Sequence, residues 1–207
     1  MTDTKKPLSR SILEFAGIVV VAVGLALGIQ AWFVKPYRIP SGSMEPTLQI
    51  GQRILVDRLG MHFSSPHIGE IMVFHPPSNY EACADPNEGE NAQGVVEPSA
   101  CDVQQTTESS VTFVKRVVGL PGDHLQIING RVIRNGKAES APYAVACVGV
   151  SICTFRKTIV VPKGDYYMMG DNRPDSEDSR FWGPVPRKWL IGEVFATYWP
   201  IGRIGFL

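Results

Sequence analysis

From Ala16 to Val34 the chain runs through nineteen residues of which Gln30 is the one strongly polar member. Few structures accept such a run. As a helix rising 1.5 Å per residue it covers about 28 Å, close to the hydrocarbon thickness of a bilayer. Lys5, Lys6 and Arg10 precede it, and basic residues favour the cytoplasmic side, which puts everything after Trp32 on the outer side. The expected organisation is a cytoplasmic N-terminus over residues 1–11, one transmembrane anchor over 12–35, and an extracytoplasmic domain over 36–207. A cleaved signal peptide competes with this reading, because Ala26 and Gly28 are small enough for a processing site. The run is longer than the usual apolar core of about 7–15 residues in such peptides. A core helix that is apolar on every side would need a larger protein around it.

The charge balance excludes one broad class of partner. Twenty basic and twenty acidic residues cancel, so net charge offers no attraction for nucleic acid. Four cysteines, Cys83, Cys101, Cys147 and Cys153, suit a chain exposed to an oxidising compartment. Three pairings are possible. The shortest loops close at least entropic cost, which favours Cys83 with Cys101 and Cys147 with Cys153. Zinc is the rival, but neither pair has the CxxC spacing that gathers tetrahedral ligands.

Beyond the apolar run the pattern changes to short β-branched and aromatic segments bounded by turn residues, which predicts a mainly β domain of antiparallel sheets. The expected strands are Arg53–Asp57, Glu70–His75, Val111–Val118, His124–Ile128, Arg131–Arg134, Thr158–Val161, Tyr166–Met169 and Glu193–Trp199. Asn129-Gly130 between two of them is a type I′ hairpin signal, since both positions need positive φ. Pro162–Asp165 marks another turn. Residues 76–110 are acidic, lack any Lys or Arg and carry Cys83 and Cys101, which reads as an inserted surface loop outside the core.

Pro40-Ser41-Gly42-Ser43-Met44-Glu45-Pro46-Thr47 follows closely on the anchor. Taken alone it reads as a juxtamembrane linker. Serine becomes a nucleophile only when a base takes its proton. The histidines, His62, His67, His75 and His124, belong to no triad motif, and no G-x-S-x-G elbow is present. The S-x-x-K pattern also fails, because Met44 and Pro46 stand where its lysine would fall. Lys115, within Phe113-Val114-Lys115-Arg116-Val117-Val118-Gly119, is a better base. Desolvation among apolar strand residues lowers a lysine pKa, and only the neutral amine accepts a proton. An outward-facing Lys115 or Arg116 on an alternating strand fits this stretch as well.

On Ile39–Leu48, Gly51–Asp57, Lys115–Asp123 and Gly170-Asp171-Asn172-Arg173 through Ser176, Asp178, Ser179 and Arg180, in that order, the chain resembles bacterial type I signal peptidases. These are Ser/Lys-dyad serine endopeptidases that need no cofactor. The resemblance implies Ser43 as nucleophile and Lys115 as general base, in an acyl-enzyme mechanism. It implies Ser41 as an oxyanion donor and Ser176 as the hydroxyl that hydrogen-bonds the lysine amine. Asp171, Arg173, Asp178 and Arg180 match the family's structural ion pairs, and Cys147 with Cys153 matches a short disulfide loop of some members. The implied substrates are signal peptides of exported preproteins, cut after Ala-x-Ala-type sequences. The bilayer and the secretion translocon are the implied partners, at the cytoplasmic membrane. Ile39, Pro40, Met44 and Val114, next to the dyad in sequence, are the expected pocket residues. Gln52, where members often carry Asp, along with Pro174, Glu177 and the 76–110 insertion, departs from the pattern.

Overall fold

The computed structural model describes residues 8–78, 100–148 and 153–207. Helix α1 spans Leu8–Trp32. After it come β1 (Val34–Arg38), β2 (Arg53–Asp57), the short helix α2 (Gly60–Phe63), β3 (Ile71–Phe74) and β4 (Phe113–Gly119). Then follow β5 (His124–Ile128), β6 (Arg131–Arg134), β7 (Lys137–Ala138), β8 (Phe155–Val160), β9 (Asp165–Met169), the one-turn helix α3 (Ser179–Trp182), β10 (Val185–Pro186), β11 (Leu190–Trp199) and β12 (Gly205–Phe206). The architecture is mainly β, as the sequence predicts, and every strand pairing is antiparallel.

Two sheets form. The larger has the order β1-β2-β11-β3-β4-β9-β10, with β12 added to β11, and the smaller the order β7-β6-β5-β8. β4 runs straight into β5 through a turn closed by Asp123, whose carboxylate accepts from Leu120 N at 2.9 Å. One core cluster joins the sheets, with Leu125, Ile127, Val132 and Ile159 meeting Val118, Tyr167 and Met169. A second, including Ile39, Met44, Leu48, Ile54, Val56 and Val73, lies beneath the segment between β1 and β2. That segment therefore has an anchored underside, since Met44 and Leu48 are buried among strand residues.

Asn129 and Gly130 have φ of 52° and 76° and connect β5 to β6 in the predicted hairpin. Val34 and Lys35, counted with the anchor on hydropathy, belong instead to β1, paired with Asp57 and Val56 of β2. Side chains of α1 are described from 12 to 28, where the apolar ones, such as Ile18 at 67% and Val20 at 71%, are exposed. Among the described residues no helix is long and apolar enough to cross a membrane.

The 76–110 segment differs from its expected character as a surface loop. Its outgoing and returning ends pair with each other, Ser78 N donating to Thr107 O at 3.0 Å and Ser109 N to Pro76 O at 2.8 Å. Ala100 and Cys101 are then buried, and Ala100 joins the cluster between the sheets. Acidic composition hid this because Ala100 and Cys101 are small and carry no periodic signal of their own.

Candidate active site

A cleft of about 450 Å³ opens beside β4 and the segment after β1, lined by Ile39, Pro40, Ser41, Ser43, Val114 and Lys115 among others. At its centre Lys115 Nζ lies 2.6 Å from Ser43 Oγ, across 72 residues of sequence. The two groups arrive from different elements. Ser43 sits in a 3-10 turn, Gly42–Met44, whose Met44 is fixed in the core. Lys115 lies on β4, opposite Met72 of β3, and is 3% exposed.

Burial dominates the electrostatics of the lysine. It lowers the Lys115 pKa from 10.5 to about 8, against the opposing pull of Asp178 and Glu177 and with help from Arg180. A buried ammonium loses hydration that the neutral amine does not need. No histidine lines the cleft. His67 pairs with Glu70 at 2.9 Å, and His75 Nδ1 donates to Val111 O at 2.8 Å.

Ser41 Oγ is 3.5 Å from Ser43 Oγ on the exposed side of the turn. Ser176, also buried, does not make the expected bond to the lysine amine. Its hydroxyl has no hydrogen-bond partner among the described residues and lies against Gly170, where any Cβ would collide with both Ser176 Oγ and the Ser43 carbonyl. The backbone of the Gly170 loop thus approaches Ser43 so closely that only glycine fits. Of the expected pocket residues, Ile39 and Met44 form a buried floor, Pro40 is exposed, and Val114 is partly buried; all four line the cleft. β4 pairs with β9 only from Arg116 onward, so its Phe113–Lys115 stretch has β3 on one side and lines the cleft.

The charged residues behind the site are paired differently from the expected cluster. Asp178 and Arg180 do bind each other, at 2.7 Å and with both side chains fully buried. Burial pushes the Asp178 carboxyl up, but the Arg180 guanidinium, Lys115 and the Gly170 N–H together hold it below its ordinary value. Asp171, however, takes a bidentate bond from Arg116, at 2.8 and 2.6 Å. Arg173 pairs with Glu139 at 2.7 Å. Sequence reasoning missed both partners. The available signal was that Lys115 and Arg116 are adjacent on one buried strand and must face opposite ways, so a buried Arg116 requires its own carboxylate.

Asn172 was also missed. Its N–H donates to Ser43 O at 3.0 Å and its side-chain Nδ2 to Gly42 O at 3.2 Å. Thr47 Oγ1 donates to Asp171 Oδ2 at 2.5 Å. The turn that carries Ser43 is therefore tied at both ends to the loop that follows β9, and through Asp171 and Arg116 to the strand that carries Lys115. Gln52, at the position of family departure, is buried and accepts from Gln49 N at 2.9 Å, closing the turn before β2.

Cys147 and Cys153 lie together with Cα atoms 5.7 Å apart, against Gly130 of the β5–β6 hairpin. Cys101 is also disulfide-bonded; Cys83, its expected partner, lies outside the described residues.

The probable signal peptidase I-2 of Synechocystis sp. is 34% identical over 208 residues, covering all of this chain and 83% of that protein. The signal peptidase I of Leptolyngbya laminosa is 33% identical over 196 residues, covering 95% of this chain and 84% of that one. A solved signal peptidase I of Enterococcus faecalis superposes with a TM-score of 0.41 and 24% identity over 63% of this chain and 97% of that one, too loose a fit to carry an argument. A family model described as signal peptidase, peptidase S26, matches residues 12–199, from α1 to the last residue of β11. A match of that extent, with relatives above 30% identity along nearly the whole length, means that the chain belongs to the signal peptidase family, peptidase S26.

Proposed function

We propose that this peptidase removes the N-terminal signal peptides of exported preproteins through an acyl-enzyme formed on Ser43, with Lys115 as general base. The observation that carries the reading is the 2.6 Å approach of Lys115 Nζ to Ser43 Oγ inside the cleft. Below pH 8 the ammonium donates to the hydroxyl. Once neutral, the amine accepts the Ser43 proton as Oγ attacks the scissile carbonyl. The oxyanion is held by the Ser43 N–H and the Ser41 hydroxyl. Collapse of the tetrahedral intermediate returns the proton from Nζ to the leaving amine, and a water then takes the same route to release the peptide from Ser43.

Ile39, Pro40, Met44 and Val114 select small side chains, because a floor already filled by Ile39 and Met44 leaves shallow pockets. The substrate lies extended along the cleft edge of Phe113–Lys115, bonded through its backbone and sorted by its side chains. Asp178 with Arg180, Asp171 with Arg116, and Arg173 with Glu139 keep the loops around the dyad in place. Cys83–Cys101 and Cys147–Cys153 are the two disulfides, checked by peptide mapping without reduction.

In sequence the segment Ala16–Val34 keeps Gln30 as its one strongly polar residue and runs on past residue 28, the last of α1 whose side chain is described. With Lys5, Lys6 and Arg10 at its start, it anchors the enzyme in the cytoplasmic membrane with the β domain outside, beside the translocon from which preproteins emerge. Confinement to the membrane plane raises the effective concentration of substrate.

Ser43→Ala is expected to abolish preprotein cleavage in a folded protein, and residual cleavage would move the nucleophile elsewhere. Lys115→Arg should be as inactive as Lys115→Ala, since a guanidinium stays protonated at any working pH. In the unaltered enzyme kcat/KM should rise with pH through a midpoint near 8, the value burial gives Lys115; a midpoint between 6 and 7 would point to a histidine.

A further inference from the structure

The chain after β11 folds back toward the nucleophile. Pro200 leads into a 3-10 turn, Ile201–Arg203, and then into β12. Arg203 is held from its own side, because its N–H donates to Pro200 O at 2.9 Å and its carbonyl accepts from the Thr197 hydroxyl. β12 pairs with β11 directly afterwards. From this fixed base the half-buried Arg203 side chain reaches across 156 residues of sequence. Nη2 donates to Thr47 O at 2.9 Å and to Pro46 O at 3.1 Å.

These two carbonyls belong to the segment that carries Ser43. Its other fixed points are already described: Asn172 on the Gly42 and Ser43 carbonyls, Thr47 on Asp171, and Leu48 N on Met44 O at 2.9 Å. Asn172 and Asp171 hold the segment from the loop after β9, and Arg203 holds it from the C-terminal turn. Arg203 lies beyond residues 12–199, the extent of the family match.

We propose that Arg203 is a positioning residue for catalysis: its guanidinium holds the Pro46 and Thr47 carbonyls so that Ser43 Oγ stays within proton-transfer distance of Lys115 Nζ. The inference rests on the Ser43/Lys115 reading. A guanidinium suits the task because it stays charged at every working pH and offers several N–H donors in a fixed plane. Without it, Thr47 keeps its bond to Asp171 and Leu48 its bond to Met44, but the Pro46 and Thr47 carbonyls lose their restraint on one side. Small displacements of a nucleophile are costly, about 10²-fold for a misplacement near 1 Å. The charges that act on Lys115 are those of Asp178, Glu177, Arg180 and Asp171, so the role proposed for Arg203 lies in the placement of Ser43.

The test uses the full chain in detergent with a preprotein substrate, comparing Arg203→Ala, Arg203→Lys and Ser43→Ala. Arg203→Ala should lower kcat by about 10- to 100-fold with KM within about twofold, which is the pattern for an interaction needed in the transition state. The midpoint of its pH profile should stay where the unaltered enzyme has it. Arg203→Lys should recover part of the rate, because an ammonium can reach one of the two carbonyls. Unchanged kcat in Arg203→Ala overturns the proposal, as does a loss carried by KM alone. A fall in kcat matched by a fall in unfolding temperature, with no recovery in Arg203→Lys, also overturns it, because that is the signature of general destabilisation. Ser43→Ala separates the two levels. If it is inactive while Arg203→Ala is normal, only the Arg203 role fails; if it remains active, the dyad reading fails with it.

Discussion

A lysine with 3% exposure and a pKa lowered by burial to about 8 works against the fold that holds it. Between pH 8 and 10.5 the unfolded chain binds the Lys115 proton more tightly than the folded one, so stability rises with pH across that window. Below pH 8 the full cost applies, on the order of 3 kcal/mol from the difference between the two values. Lys115→Met, close in volume and uncharged, should therefore unfold at higher denaturant concentration than the unaltered protein at pH 7. That advantage should shrink toward pH 10.5, and an equal or larger advantage at high pH would contradict it. Such a variant would be stable and inactive, the usual trade at a catalytic residue. At this scale the sequence was informative where a side chain has an unusual chemical job. Ser43 and Lys115 stood out because the motifs around them resemble those of signal peptidases; their own stretches also fitted a linker and an outward-facing strand residue. Arg116 and Glu139 did not, because a partner across 55 or 34 residues leaves no local trace. Asn172 and Arg203 act on backbone carbonyls, which every residue has, so their targets carry no sequence signature at all.

Local pattern decided the elements that were legible. β2, β5 and β6 match their expected bounds residue for residue, because alternating burial left a two-residue period to read. β1 was concealed, since Val34 continues the hydropathy of α1 and Pro36 interrupts a strand pattern. Asn135-Gly136, with φ of 53° and 78°, makes a second hairpin of the same kind as Asn129-Gly130, and β7 was missed because it is two residues long. The returning arm of the 76–110 segment was hidden for another reason: its fit depends on a glycine elsewhere. Gly183 has φ of +87°, and a Cβ there would meet Val103 O at 2.5 Å and Cys101 Sγ at 2.9 Å. Gly183→Ala should destabilise the domain by about 2 kcal/mol or more, from backbone strain and displaced packing together. Denaturant titration checks this, and proteolysis should detect the loosened 100–107 arm before global unfolding. An alanine variant with unchanged midpoint and protease pattern would mean that the arm is not held there.

For the molecule as a whole, one core cluster joins the two sheets, while the proposed dyad is assembled from the turn between β1 and β2, which carries Ser43, and from β4, which carries Lys115. Removal of residues 1–32 leaves both sheets and all their pairings, so the truncated protein should fold and cleave a soluble peptide at close to the full-length kcat. Its rate on a preprotein embedded in lipid vesicles should fall by about 10²-fold or more, in line with lost effective concentration. Equal rates on the embedded substrate would remove the anchor from the mechanism.

One residue, Phe33, separates the end of α1 from the start of β1, and its carbonyl accepts from Arg58 N at 3.0 Å. Nothing slack intervenes. The five residues of β1 add about 16 Å of paired strand before the turn that bears Ser43. With α1 seated in a bilayer, the attacking oxygen stands at a set height above the lipid, as a blade is set by its fence. Substrate choice then has a geometric component besides side-chain size. On the proposed anchoring, a small-residue sequence displaced by a few positions along an emerging chain is expected to pass the blade at the wrong level and be left whole.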